Sequence, residues 1–153
     1  MNVGRIAVLV IVGVGLLGGA LMFYLQVWGY YDDAPLEPDL VAIDGINATI
    51  YAYEGIDADS SPIRYRACFE IDPVIGRALP DAPEAEPLNA PFWFDCFDAE
   101  DLGADLASGE ARAVMLRENL RPGVDRVAAI YPDGRAYAWQ QLNDLYDDSR
   151  RIE

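Results

Sequence analysis

The apolar pattern is most continuous at the start of the chain. Ile6 to Val27 runs 22 residues without a charge, and its only polar side chains, Tyr24 and Gln26, lie near its end. At about 1.5 Å of rise per residue this is roughly 33 Å of helix, enough to cross a hydrocarbon core of about 30 Å. A buried helix of that length in a soluble domain would show a polar stripe. Trp28, Tyr30 and Tyr31 follow at once, where aromatic side chains sit at a bilayer interface. Residues 1–31 therefore read as an N-terminal signal-anchor transmembrane segment. The cleaved signal peptide that competes with this reading has an apolar region of only about 7–15 residues ending in a small-residue site. Here Ala20-Leu21-Met22 leads into bulky residues instead.

Beyond the span the period changes. Residues 32–39 (DDAPLEPD) read as an acidic, Pro-containing linker. Leu40–Asp44 and Ile46–Glu54 read as a strand pair around Asp44-Gly45, the second with Ile46, Ala48, Ile50 and Ala52 on one face. Gly55–Pro62 reads as a turn-rich loop. Ile63–Ile71 has the clearest alternation, with Ile63, Tyr65, Ala67, Phe69 and Ile71 facing a core and Arg64, Arg66, Cys68 and Glu70 opposite. Asp72–Pro91, with five prolines, reads as an extended excursion with at most a turn near Val74–Leu79. Asp98 is placed to cap a helix over Ala99–Ser108 that buries Leu102 and Leu106 and stops at Gly109. Ala111–Glu118 is ambiguous between strand and helix and is assigned to strand. Pro122-Gly123 suits a turn, and Val124–Tyr131, Pro132-Asp133-Gly134 and Arg135–Leu142 form a hairpin. Asn143–Glu153 reads as a short helix fraying into a charged tail. The fold class is α+β: one transmembrane helix, then a small, mostly antiparallel sheet domain with one or two helices over residues 40–153.

Charge sharpens this division. Residues 1–31 hold one basic residue, Arg5, and no acid; the remaining 10 basic residues face all 26 acids, a balance of −16. Such a domain is repelled by nucleic acid and anionic lipid and favours basic partners, although the charge also serves solubility alone. Arg5 before the span places the amino terminus in the cytoplasm and the domain across the membrane. Arg as every basic residue, with plentiful Ala, Gly, Pro and Asp, suggests a GC-rich bacterial genome, so the expected location is a bacterial inner membrane with the domain in the periplasm. All 11 basic residues are Arg, and there is no His. This excludes Ser-His-Asp and Cys-His catalysis, His-bound zinc and Schiff-base chemistry within the chain. No catalytic residue, metal ligand or cofactor is assigned.

The remaining candidates are structural or contact residues. Cys68 and Cys96 are the only thiols, and in an oxidising compartment an even count favours a disulfide; a redox-active pair and two unpaired thiols are the alternatives. Gly15 and Gly19 form one small-xxx-small pair on which another helix could pack. Arg64 and Arg66 could grip a carboxylate or phosphate, or pair with the domain's own acids. Asp57-x-Asp59-x-Ser61 resembles the start of a calcium loop, but Pro62 and Cys68 stand where such a loop needs Gly and Glu. Asn47-Ala48-Thr49, formally a glycosylation sequon, is discounted inside a strand. Phe92, Trp93 and Phe94 belong to a core or, if exposed, to a docking patch.

The stretches SSPIRYRACF (60–69), LNAPFWFDCFDAEDLG (88–103) and DRVAAIYPDGRAYAWQQLN (125–143) resemble an uncharacterised proteobacterial family of short single-span membrane proteins. The resemblance covers most of the chain and implies a membrane anchor and pairing of the two cysteines, without an established activity. Members sometimes carry a histidine-kinase label, which a chain without His, too short for an ATP-binding domain, does not support. The expected function is a non-enzymatic accessory subunit of a larger membrane complex, facing an integral partner or a basic periplasmic protein. The alternative is a membrane-tethered small-ligand or metal-binding domain, with an enzyme the least favoured class.

Overall fold

The computed structural model describes residues 2–82 and 84–146. The chain separates into two compact units that divide between Tyr31 and Asp32. In the first, α1 (Val3–Tyr24) continues into a π-helical turn at Leu25–Gly29, closed by the Tyr30 amide on the Leu25 carbonyl at 3.0 Å. No residue of α1 is buried. Val3–Gly29 is long and apolar enough to cross a membrane, a property that a retained anchor and a signal sequence share. The π turn wraps aromatic rings together: Trp28 stacks on Tyr24 at 6.2 Å and meets Phe23 edge-on at 5.9 Å. A Cβ at Gly29 would meet Leu25 Cδ2 at 3.0 Å, a tight contact that a small shift of the leucine side chain relieves.

The second unit is built on a six-stranded antiparallel sheet. Its strands are β1 (Asp32–Asp33), β4 (Ile50–Asp57), β5 (Arg66–Ile71), β6 (Arg112–Arg121), β7 (Val124–Ile130) and β8 (Arg135–Leu142). Their spatial order is β1-β4-β5-β8-β7-β6. A separate two-stranded ribbon pairs β2 (Ala42–Ile43) with β3 (Ile46–Asn47) through Asp44-Gly45, both with positive φ, as a two-residue hairpin requires. Helices α2 (Pro73–Ala78) and α3 (Ala99–Ser108) flank the sheet strands in sequence. This is the α+β architecture expected from the pattern.

Turn chemistry locates much of this accurately. Asp98 accepts from the amides of Glu100 and Asp101, and Gly109 closes α3 with φ of 82°. Gly123 and Gly134 occupy the positive-φ positions of the β6–β7 and β7–β8 turns. Gly134 does a second job, because its carbonyl accepts from the Ile71 amide and ties that hairpin to the end of β5.

The sheet is covered on both sides. One face packs Tyr65, Ala67, Phe69 and Ile71 with Val114, Ala128, Ile130, Ala136 and Ala138 under Leu40, Val41 and Leu79. The opposite face carries Cys68, Val127, Ala129 and Trp139, closed by Phe94, Phe97 and Leu102. All seven residues of β7 are consequently buried. The alanines on β7 and β8 let two layers approach one sheet closely, and burial of apolar side chains on both faces supplies its hydrophobic stabilisation.

Several expected boundaries move. Residues 32–39 are no free linker: Asp32 and Asp33 pair with Asp57 and Ile56, and the Ala34 amide bonds the Gly55 carbonyl. Leu40 and Val41 then plug the core at 2% and 0% exposure, which gives this acidic strap its apolar anchor. The expected strand at Ile46–Glu54 breaks after Asn47, and β4 runs on to Asp57, shortening the loop after it. A bulge between Tyr51 and Glu54, with Ala52 at φ 48°, upsets the simple alternation there. The expected strand at Ile63–Ile71 begins at Arg66, and the 72–91 excursion contains α2 and a short antiparallel pairing of Pro80–Ala82 with the outer edge of β6. At the C-terminus a helical turn begins at Leu145; residues 147–153 of the expected helix and tail lie outside the described residues.

Both edges of the sheet are irregular. β1 covers only two residues of β4, next to the bulge, while β6 shifts register between Met115 and Arg117 and again before Arg121.

Candidate functional site

Of the residues singled out, Arg66, Cys68, Cys96 and the 92–94 aromatic run lie on one side of the sheet, where β5 supplies Arg66 and Cys68 and the segment 88–98 lies across them. Cys68 and Cys96 form a disulfide, with Cα atoms 6.3 Å apart across 28 positions of sequence. The segment reaches Cys96 through two consecutive turns, closed by the Phe94 amide on the Pro91 carbonyl at 2.9 Å and the Phe97 amide on the Phe94 carbonyl at 3.3 Å. Phe94 and Phe97, at the turn corners, point inward and are buried. Phe97 stands edge-on to Tyr137 at 6.4 Å and Trp139 at 6.2 Å, the arrangement that aromatic quadrupoles favour. Phe92, in the centre of the first turn, is 69% exposed, and Trp93 is half-buried, edge-on to Phe94. The aromatic run is thus core and surface at once, divided by turn position.

Arg66 is the second fastening of the segment. Only 4% exposed, it donates from Nε to the Leu88 carbonyl at 2.7 Å and from Nη2 to the Asn89 carbonyl at 3.0 Å. Nη1 donates to the carbonyls of Ile63 and Tyr65 at 2.9 and 2.6 Å. Its guanidinium carbon lies 5.7 Å from the centre of the Phe97 ring. Arg66 therefore does not reach outward for a carboxylate or phosphate; its planar fork organises backbone instead. Arg64 is half-buried and lines none of the principal cavities. Arg66 shares a face with Cys68, so the segment that covers the cysteine also covers the arginine.

Between the two turns and the start of α3 lies an open hollow of about 350 Å³, bordered by Asn89, Pro91, Phe92, Asp95 and Asp98, whose accessible surface is mostly polar because Phe94 and Phe97 are buried beneath it. Asp98 is engaged in capping α3. Asp95 is exposed and makes no hydrogen bond or ion pair among the described residues. Farther along α3, Asp105 accepts from the Tyr131 hydroxyl; burial and this carboxylate push the phenol's pKa upward, so it remains a donor.

The opposite face holds a second buried arginine that sequence reading did not single out. Arg126 on β7 is gripped by Glu37 through both nitrogens, at 2.8 and 3.1 Å, and lies over the Tyr65 ring at 4.2 Å. With its amide turned to suit the network, Gln140 accepts from Arg126 Nη2 at 2.9 Å; Nε alone lacks a partner among the described residues. Burial raises the pKa of Tyr65, as it does that of Tyr53, whose hydroxyl lies 3.4 Å away. An acidic residue in a Pro-containing stretch gave no sign of reaching 89 positions along the chain.

The Asp57–Ser61 segment borders a cleft of about 160 Å³ that Asp32, Asp33 and Glu37 also line. Asp57 is half-buried, with its pKa raised by burial, and accepts from the Ala58 amide at 2.8 Å. Among the described residues no group of three acidic or thiol side chains has the geometry to hold a metal ion. In the first unit, Gly15 and Gly19 lie on the open surface of α1 with no heavy atom within 4 Å of an added Cβ. Trp28 and Tyr30 are exposed and Tyr31 half-buried.

A family model of unknown function, DUF6446, matches residues 41–150, from the core plug at Val41 through the last strand. The chain belongs to this family. The match takes in both cysteines, Arg66, Arg126 and the 88–98 segment, so the DUF6446 unit is the disulfide-bonded sheet domain. No curated protein and no solved structure matches the chain.

Proposed function

We propose that this DUF6446 protein is a single-pass inner-membrane protein whose acidic periplasmic domain acts as a non-enzymatic accessory subunit of a larger membrane complex. The observation that carries the reading is the pairing of an unburied apolar helix with a disulfide-bonded domain in one chain. A helix without a buried residue needs an apolar surrounding, and a bilayer supplies one. A disulfide persists in an oxidising compartment, which favours placing the domain outside the cytoplasm. Arg5 before the span agrees with that orientation.

An interaction role is supported by how the polar side chains are used. Arg66 bonds backbone, Asp98 caps a helix, and Arg126 and Glu37 clasp each other across the strap. Gly15 and Gly19 offer the helix a surface for close packing on a partner span, and Trp28, Tyr30 and Tyr31 supply the interface anchors.

Two measurements test the proposal. Labelling of an added surface cysteine from outside the inner membrane should reach the domain in intact spheroplasts. Purification of the native full-length protein in mild detergent should return it in stoichiometric association with a larger membrane complex. Recovery as a free monomer across several detergents overturns the accessory reading, and a domain protected in intact spheroplasts overturns the orientation.

A further inference from the structure

We propose that the hollow between α2 and the start of β6 binds a small zwitterion with an apolar body, a free α-amino acid of the leucine or phenylalanine kind. The inference goes beyond the accessory reading and does not depend on it.

The hollow has a volume of about 200 Å³. Pockets for drug-sized ligands run to roughly 300–1,000 Å³, so the occupant here is smaller. Its accessible surface is mostly apolar, bordered by Pro73, Ile130, Tyr131 and Pro132. Two charged residues complete the border from different elements: Arg77 in the last turn of α2 and Glu110 in the connection from α3 to β6. Both are exposed, and neither side chain makes a hydrogen bond or ion pair among the described residues.

Arg77 stands apart from the other arginines of the sheet. Arg112, Arg117, Arg126 and Arg135 are each paired with a carboxylate, and Arg66 is satisfied by carbonyls. In a chain with 26 acids, a guanidinium that pairs with none of the described carboxylates is available to take one from a ligand, in the two-pronged geometry its planar fork favours. Glu110, on the same border, is the matching acceptor for an ammonium group.

The frame of the hollow is firm before anything binds. Arg112 donates to the carbonyls of Gly76 at 2.6 Å and Leu79 at 3.2 Å, which locks α2 to β6. The Ala111 amide bonds the Asp105 carbonyl at 3.1 Å, and the Asp105 carboxylate holds the Tyr131 hydroxyl, which joins the other wall to α3. A site already in shape loses little freedom on binding.

Net charge selects the class of ligand. A simple carboxylate is repelled by the acidic domain around Arg77, and a simple amine is drawn to every exposed acid alike. A zwitterion feels neither long-range effect, so the local pair of Arg77 and Glu110 decides where it stops. Its apolar side chain then leaves water against the proline-bordered wall.

The test is equilibrium dialysis of the full-length protein in mild detergent against radiolabelled L-leucine and L-phenylalanine. At least one should bind saturably at a single site, with a dissociation constant below about 1 mM. Three unlabelled competitors each lack one feature: glycine the apolar body, 4-methylpentanoate the ammonium and 3-methylbutylamine the carboxylate. Each should compete at least about three-fold more weakly than leucine. Arg77→Gln and Glu110→Gln should each weaken binding about three- to five-fold, as loss of an exposed ion pair does. Arg121→Gln, exposed and outside the hollow, should leave it unchanged. All three positions are exposed, and disulfide formation on a non-reducing gel verifies that each variant is folded. No saturable binding of either amino acid up to about 10 mM overturns the proposal. So does any of the three competitors matching leucine, or unchanged affinity in Arg77→Gln or Glu110→Gln. None of these results bears on the accessory reading, which is decided by recovery with a membrane complex.

Discussion

The two faces of the sheet close over a buried arginine by different means. On one face Arg126 is neutralised by a carboxylate, Glu37, carried on the strap at residues 34–41. On the other, Arg66 is satisfied by main-chain carbonyls, and a covalent bond next to it holds the cover in place. The first clasp is ionic and depends on charge at both ends. The second depends on geometry and on the oxidation state of sulfur. Two solutions to one desolvation problem thus make the faces sensitive to different conditions.

The largest effect should come from breaking the covalent clasp. Replacing both Cys68 and Cys96 by Ala removes a closed loop of about 29 residues and should cost about 3.5 kcal/mol by the chain-entropy estimate. Urea denaturation of the detergent-solubilised protein measures it, and a loss below about 1 kcal/mol would show that Arg66 and the two phenylalanines suffice. Next is Glu37→Gln, which leaves the Arg126 charge buried without its counter-ion. Glu37 is partly exposed, so the cost should sit near the low end for a broken buried pair, about 3 kcal/mol. A third variant, Arg66→Lys, keeps the charge and loses the fork; one ammonium cannot serve carbonyls at Leu88, Asn89, Ile63 and Tyr65 together. A loss of about 2 kcal/mol is expected, with faster proteolysis near residues 88–91; unchanged cleavage there would remove Arg66 from its fastening role.

A double-variant experiment asks whether the clasps are independent. Glu37→Gln combined with the cysteine replacements should be additive within about 0.5 kcal/mol, since they act on opposite faces; Arg66→Lys with the same replacements should not be, since both loosen one segment. The smallest effect concerns pH. The hydrogen bond from Arg117, outweighing desolvation, holds Asp39 below its ordinary value of 3.8. A carboxyl with a depressed folded pKa contributes stability above its unfolded value and loses it as pH falls through the folded one. Asp39→Asn should therefore reduce stability slightly at pH 6 and flatten the decline below about pH 3.8; an unchanged acid limb would mean that this pair contributes nothing in solution.

This contrast also explains what the sequence could disclose. Local chemistry was legible: the Asp98 cap, the Gly109 stop, the Pro122-Gly123 and Pro132–Gly134 turns, and the alternation of Phe69 and Ile71 with Glu70 all act within a few residues. Two thiols allow one pairing, which an oxidising compartment and the family resemblance favoured over free thiols or a redox pair, and the structure shows it. What stayed hidden was long-range and polar. Glu37 meets Arg126 across 89 positions, and nothing in DDAPLEPD distinguishes a tether from a strap whose Leu40 and Val41 are core. Arg66 reads as a surface residue by composition, because its partners are carbonyls, which every residue has. The split of Phe92 from Phe94 depends on turn position, which periodicity does not encode.

The ragged edges of the sheet carry a consequence for recognition. β1 shields two residues of β4, the bulge at Ala52 disrupts the next ones, and β6 is partly covered by Pro80–Ala82 and twice shifted in register. An incoming chain finds no long, straight row of amides and carbonyls on which to lengthen the sheet. In a crowded compartment that guards copies of the domain against zippering together, and it leaves side chains, not main chain, as the alphabet in which a partner reads this surface.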